Sequence, residues 1–484
     1  MAESLKEKTA KGLFWGALNN SLMQFIGLLF GIVLGRLLSP SDYGMMAMLT
    51  IFSVIANNLQ NSGFGTALAN LDHPRDEDYN SVFFFNIIVG ISAYIILFFC
   101  APLISDYYHE PRLTPLSRFA FLGFVFASFS TVQNAWLFKN LRAKQQAKTN
   151  VTSVLLSSSV GVICAFSGLS YWSLAIQSNI YVLSVAVLAW HYSPWRPDFR
   201  HITFAPVRHM FKFSVKILAT NITNSINNNI LNVLLGHYFS AHDTGNYNQA
   251  YQWNSKAWYV LQSMVTQVAQ PVLVSLREEK ERQVRVLRKL IRFAAFLSFP
   301  VMFGFGLVAK QFLVVTMGAK WEVSAGYIQI LCISGAFMPI YSILTNMIIS
   351  KGRSGILLNG TLVFAVVQIA AMILLWRYGI VTMIVAYTIL NVGWIFVWHA
   401  FVWRLTGYHV GLFVADILPF ALVALAVMAL TGFATASIGN LAVKLIARIA
   451  MAAVLYYGVM KLAHVQILTE CENFVLSKLK RKKD

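Results

Sequence analysis

The chain has 484 residues, 57% of them hydrophobic and only 12% charged, a balance that excludes a soluble globular domain. Its formal charge of +19 comes from 38 Lys and Arg against 19 Asp and Glu. The cations crowd into short segments between apolar stretches, which excludes nucleic acid as the partner and points to membrane topology.

About 20 apolar residues cross a bilayer as a helix. Stretches of that kind are predicted near 12–34, 43–69, 80–101, 117–138, 150–168, 171–190, 211–235, 248–275, 291–316, 326–350, 355–376, 379–403, 412–434 and 441–462. The expected fold is therefore all-α and polytopic, with about fourteen transmembrane helices. The charged segment from Met1 to Lys11 leads directly into the first span, with no small-residue cleavage site after a short apolar core, so no removed signal peptide is expected.

The first span carries Asn19, Asn20, Ser21 and Gln24, and the second carries Ser53, Asn57 and Asn61. Between the third and fourth lies the longest external loop, Pro102 to Leu116, with Asp106, His109, Glu110 and Arg112. Two carboxylates and a histidine in so short a loop read as solvated headgroup contacts, not as catalytic groups. Lys139, Arg142, Lys144 and Lys148 follow the fourth span.

The seventh span is the most polar. Asn221, Asn224, Ser225, Asn228 and Asn232 recur at helical spacing, with Lys216, Thr220, Thr223 and Asn227 on the adjoining face. The eighth repeats the theme with Gln249, Gln252, Lys256, Tyr259, Ser263, Gln267 and Gln270. Single amides of this kind serve as interhelical glue worth about 0.6 kcal/mol. A whole stripe of them lines a wet cavity suited to a sugar chain.

Farther along, Arg277, Lys280, Arg282, Arg285, Arg288, Lys289 and Arg292 form a basic loop before the ninth span. Asp416 lies near the start of the thirteenth, and Lys444 and Arg448 in the last are expected to snorkel to headgroups. The tail adds Lys478, Lys480, Arg481, Lys482 and Lys483. The opposite side holds only Arg36, Arg112, Arg118, Lys310, Lys320 and Arg377, so both termini are expected in the cytoplasm.

The interiors of the first twelve spans contain no carboxylate, whereas Lys216 and Lys256 sit inside two of them. A lysine in mid-membrane costs about 2.5–3.5 kcal/mol, and its neighbours here are amides. Such an interior suits an anionic cargo, each ammonium meeting phosphate oxygens as a point charge. The expected binding residues are Lys216, Lys256, Asn221, Asn224, Asn228, Gln252, Asn20, Gln24 and Asn57. Cys100, Cys164, Cys332 and Cys471 show no metal spacing, and no P-loop occurs, so neither a metal nor another cofactor is expected.

The chain repeats itself at an offset of 201 residues. Gly35, Ser39, Asp42 and Gly44 follow the first span, and Gly236, Ser240, Asp243 and Gly245 follow the seventh in the same spacing. Locally these read as turns that start the next helix, with the aspartates as caps. The copies open two six-span sets, and the chain divides into 1–205, 206–408 and an appendage at 409–484, which holds two more spans and the basic tail.

The run Gly35-Arg36-Leu37-Leu38-Ser39-Pro40-Ser41-Asp42-Tyr43-Gly44 resembles the signature of bacterial polysaccharide transporters, the lipid-linked oligosaccharide flippases. Asn61-Ser62-Gly63-Phe64-Gly65 and the segment from Tyr79 to Gly90 are also similar to that family. The resemblance implies two six-helix bundles plus two extra helices, in a bacterial inner membrane. It implies a polyprenyl-pyrophosphate oligosaccharide as cargo, moved by alternating access in surface polysaccharide assembly, with membrane lipids and the polysaccharide polymerase machinery as further partners. Pro271, Pro300 and Pro339 are candidate hinges. The same superfamily contains multidrug extruders, which use a buried acid that the first twelve spans here lack. It also contains peptidoglycan-precursor flippases, whose first span carries arginines that are absent here. A membrane enzyme of glycan polymerisation is the third reading, and the loops offer it little chemistry. The chain is expected not to be an enzyme.

Overall fold

The computed structural model describes residues 5–480 except 62–67, 69–70, 72 and 201. All of the secondary structure in those residues is helical. The chain divides into two compact units, Met1–Gly245 and Asn246–Asp484.

The first unit contains α1 (Leu5–Leu37), α2 (Pro40–Asn61) and α3 (Asp76–Tyr108), then α4 (Leu113–Ala120), α5 (Leu122–Ser128) and α6 (Thr131–Lys139). It continues through α7 (Ala143–Phe166), α8 (Trp172–Tyr192) and α9 (Ala205–Tyr238), and it takes the first turn of α10 (Ala241–Ser275). One core gathers Met45, Met48, Leu49, Tyr108, Phe121 and Phe124, and another Tyr79, Val82, Phe83, Val132 and Trp195.

The span expected at 117–138 is a broken one. Its halves, Leu113–Ser128 and Thr131–Lys139, are bent by 42°. Three hydroxyls explain the break. Ser128 donates to the Val125 carbonyl, and both Ser130 and Thr131 donate to that of Ala127, so the backbone there is satisfied without a continuous ladder.

The second unit holds the rest of α10, then α11 (Lys280–Met317), α12 (Glu322–Gly335) and α13 (Met338–Ser350). It ends with α14 (Ser354–Leu375), α15 (Ile380–Thr406), α16 (Val410–Ala434), α17 (Leu441–Leu462) and α18 (Gln466–Lys480). Pro339, which lacks an N–H, stands in the first turn of α13 and separates it from α12 within one span. The basic segment expected as a loop before residue 291 is helical from Lys280 onward and extends α11 by about 16 Å. Its buried face mixes small residues, Ala294, Ala295 and Ser298, with large ones such as Leu287, Ile291 and Phe299; the Ser298 hydroxyl donates to the Ala336 carbonyl at 2.7 Å.

Among the described residues ten helical spans are long and apolar enough to cross a membrane, and the bent pair makes an eleventh. The three remaining expected spans are α2, α9 and α10, with 22, 34 and 35 residues. They have the length but miss the apolar threshold because asparagines and glutamines fill them. The total is compatible with fourteen. Large apolar side chains face outward, Phe433 at 86% exposure and Phe99 at 73%, as helices surrounded by lipid require.

Candidate functional site

Both copies of the repeated motif begin a helix in the same way. The Ser39 hydroxyl donates to Asp42 at 2.7 Å, and the backbone N–H of Asp42 returns to the Ser39 oxygen at 3.3 Å. The Ser39 backbone N–H also meets Asp42 at 2.7 Å, which completes a capping box. Ser240 and Asp243 repeat the pair at 2.6 and 3.2 Å. The serine is thus the cap and the aspartate its third-position partner. Asp42 is buried and takes a further hydrogen bond from Ser170.

The glycines are fixed by close approach. A Cβ at Gly44 would collide with the carbonyl oxygen of Ala241, and one at Gly245 with that of Pro40. Pro40 and Ala241 are themselves 201 positions apart, so the starts of α2 and α10 cross reciprocally. Gly236 is held in the same way, since its Cβ would lie 2.8 Å from Tyr108 Cε1 and 2.9 Å from Met48 Cγ. Beside it the His237 ring stacks on Tyr107, centroids 4.2 Å apart, and bonds to that residue's carbonyl at 2.6 Å.

Within the first unit, α2 and α9 bring several of the expected binding residues together. Asn58 joins the helices, its amide donating to Ser225 Oγ at 2.7 Å, and Ser225 donates to the Asn221 carbonyl at 2.7 Å. Asn57, one residue away, is exposed. Asn224 and Asn228, one turn apart on α9, are exposed, while Asn221 is half-buried and Asn232 is buried. The polar residues of α2 and α9 therefore split into an anchoring pair, the Asn58 amide and the Ser225 hydroxyl, and open amides, Asn57, Asn224 and Asn228. Asn20 and Gln24, also one turn apart, are exposed on α1. Lys216 falls on α9, but its side chain lies outside the described residues.

In the second unit, one face of α10 is open. Gln252, Tyr259, Gln267 and Gln270 are exposed, and Lys256 and Ser263 are half-buried among them. The opposite face, with Trp253, Asn254, Val265, Ala269 and Leu273, is buried. Gln252 is oriented by a 2.9 Å bond to Asn248. The Lys256 ammonium lies 4.5 Å from the centre of the Trp253 ring. The indole face stabilises a cation without using up its hydrogen-bond donors. Among the described residues no carboxylate pairs with Lys256, so those donors are available to an anion.

Two polar networks of this unit were not apparent in the sequence. Asp416, only 1% exposed, accepts from Arg288 at 2.7 and 3.0 Å, from Arg292 at 2.5 Å and from the Tyr408 hydroxyl at 2.7 Å. Arg448, expected to snorkel, instead turns inward to α11. It donates to the Leu307 carbonyl at 2.8 Å, to Gln311 at 2.9 Å and to Thr435 at 3.1 Å. Lys444, nearer the helix end, reaches the Ala436 carbonyl at 3.0 Å. In the loop after α3, two hydrogen bonds from Arg112, at 2.7 and 2.8 Å, hold the Glu110 carboxyl below the usual carboxylate range. Among the described residues no three His, Cys, Asp or Glu side chains converge as a metal site.

The model of a family described as polysaccharide biosynthesis protein matches residues 33–326. The lipopolysaccharide biosynthesis protein WzxC of Escherichia coli (strain K12) is 24% identical over 356 residues, covering 72% of this chain and 71% of that protein. The succinoglycan biosynthesis transport protein ExoT of Rhizobium meliloti (strain 1021) is 24% identical over 439 residues, covering 88% and 87%. Among solved structures, that of the lipid II flippase MurJ in an inward closed conformation superposes with a TM-score of 0.72 at 12% identity, over 93% of this chain and 99% of that one. At that identity the likeness is one of fold.

Proposed function

The chain belongs to the polysaccharide biosynthesis protein family, and on that premise we propose that it is a flippase for polyprenyl-pyrophosphate-linked oligosaccharide. It acts as a carrier and not as an enzyme, in the inner membrane of a bacterium, with both termini cytoplasmic. Its cargo feeds assembly of a surface polysaccharide by the polymerase machinery.

The observation that carries this reading is the open face of α10, on which Lys256 stands in a row of exposed amides with no acidic partner among the described residues. Amides and hydroxyls offer a glycan many hydrogen bonds without a tight fit. The ammonium supplies the charge that a pyrophosphate seeks. Asn57, Asn224 and Asn228 on α2 and α9, with Asn20 and Gln24 on α1, offer the glycan the same chemistry. Lys216 is proposed as a second phosphate contact. The bundles 1–205 and 206–408 would rock to alternate access, with 409–484 appended to them and Pro271, Pro300 and Pro339 as bending points.

An exporter of organic cations would need a free buried carboxylate. Asp416, a buried acid near the start of α16, is already neutralised by two guanidinium groups. Relatives and fold point the same way. ExoT is a transport protein of succinoglycan biosynthesis, and MurJ is a lipid II flippase.

The test is reconstitution in liposomes with a fluorescent polyprenyl-pyrophosphate oligosaccharide. The expected result is transbilayer movement that excess unlabelled cargo suppresses and small organic cations do not. Export of organic cations with no movement of the lipid-linked glycan would overturn the reading.

A further inference from the structure

The second unit contains a cavity of about 540 Å³ where α11, α16, α17 and the start of α18 meet. One wall is cationic. Arg285, Arg288, Lys289 and Arg292 follow one another at i, i+3, i+4 and i+7, a single face of α11. The other wall is apolar, with Phe420 and Val423 of α16 and Val459 and Met460 of α17.

Four like charges on one helix face repel, and the structure compensates only part of them. Buried Asp416 fixes Arg288 and Arg292 in place, and Glu470 of α18 pairs with Lys289 at 2.6 Å. Four cations against these two carboxylates leave a net charge of +2 at the cavity. Arg285 has no acidic partner among the described residues. The cationic wall lies where the polar extension of α11 gives way to the apolar stretch that begins at Ile291, the level at which headgroups meet hydrocarbon.

From this geometry we infer that the cavity is a binding site for an anionic glycerophospholipid. Its phosphodiester sits against Arg285 and Lys289, with Arg288 and Arg292 behind them, and its first acyl carbons lie along Phe420, Val423, Val459 and Met460. A soluble anion would use the cationic wall and leave the apolar one unfilled. A zwitterionic lipid would bring no net charge to match the +2. The site is separate from the amide-lined face of α10, and the inference does not depend on the cargo.

The experiment is thermal unfolding of the purified full chain in detergent, titrated with phosphatidylglycerol, with phosphatidylcholine of the same acyl chains, and with inorganic phosphate. A ligand of the folded state raises the melting temperature in proportion to its occupancy. Phosphatidylglycerol is expected to give a saturable rise and the other two none. The double variant Arg285→Ala/Lys289→Ala removes cations outside the Asp416 cluster. It should raise the half-saturating concentration about 10- to 30-fold, the worth of two interfacial cations.

Val423→Trp, which fills the apolar wall, should weaken the same response by a different route. The site is refuted if both variants keep the wild-type phosphatidylglycerol titration. It is also refuted if inorganic phosphate alone matches the lipid, which would mark a free-anion site with no place for acyl chains. Should one variant fail to fold, the other still decides.

Discussion

The carboxylate of Asp416 is buried, and four hydrogen bonds from three residues satisfy it. Removing one partner of a buried pair costs far more than the pair contributes, because the remaining charges are left without compensation. Asp416→Asn is expected to destabilise the protein by about 2–4 kcal/mol, the lower end reflecting the partial exposure of both arginines. Thermal unfolding in detergent measures it, and an unchanged melting temperature would contradict the assignment. Glu110 offers a smaller and pH-dependent case. Its pKa is depressed by the hydrogen bonds from Arg112, so its contribution is present above the unfolded value and is lost as pH falls through the folded one. Arg112 is 56% exposed, so solvent screening limits the pair to less than about 1 kcal/mol. Glu110→Gln should therefore lower stability slightly at neutral pH, and the difference from wild type should vanish in acid.

Among the elements, the starts of α2 and α10 are the least tolerant of change. A single methyl at Gly44 or Gly245 meets backbone, which cannot rotate away. Gly44→Ala and Gly245→Ala should each abolish monodisperse protein on size exclusion, whereas Gly27→Ala, with nothing within 4 Å of the new carbon, should behave as wild type. The open amides of α9 and the anchoring amide of α2 should separate in the same way. Asn224→Leu should leave the melting temperature unchanged and lower transport. Asn58→Leu should cost about 0.6 kcal/mol of stability by losing its bond to Ser225.

These elements also show what a sequence can carry. The fourteen stretches, the amide periodicity and the motif repeat are local patterns, and local patterns are legible. The bend near Ser128 and Ser130 was not, because serine and threonine hydroxyls bond their own helix both where a span breaks and where it does not. Nor was the helical extension of α11, whose charges resemble those of a loop. The arginine partners of Asp416 lie 124 and 128 residues away, and those of Arg448 on α11 lie 137 and 141 away. Only the folded chain brings such residues together. The sequence pointed Arg448 to the headgroups instead, because a long cation near a helix end can reach them, and it assigned Asp416 no partner. Trp253 beneath Lys256 was missed for a different reason. An indole three residues away in a helix reads as packing, and only its position against the ammonium makes it a cation support.

At the scale of the whole molecule, the chain has the composition of a carrier. Its outward faces are apolar, the buried carboxylate near the start of α16 is already paired, and its polar helices are those that present amides and a lysine. Within the second unit, the exposed amides of α10 flank a half-buried lysine that no described carboxylate pairs. The most direct test compares initial rates of lipid-linked oligosaccharide translocation in liposomes for wild type, Lys256→Arg and Lys256→Gln at matched protein content. The expected result is about a tenfold loss in Lys256→Gln, equivalent to about 1.4 kcal/mol, with the rate largely kept in Lys256→Arg. A Lys256→Gln protein that moves the cargo at the wild-type rate would contradict the claim that the open face of α10 carries it.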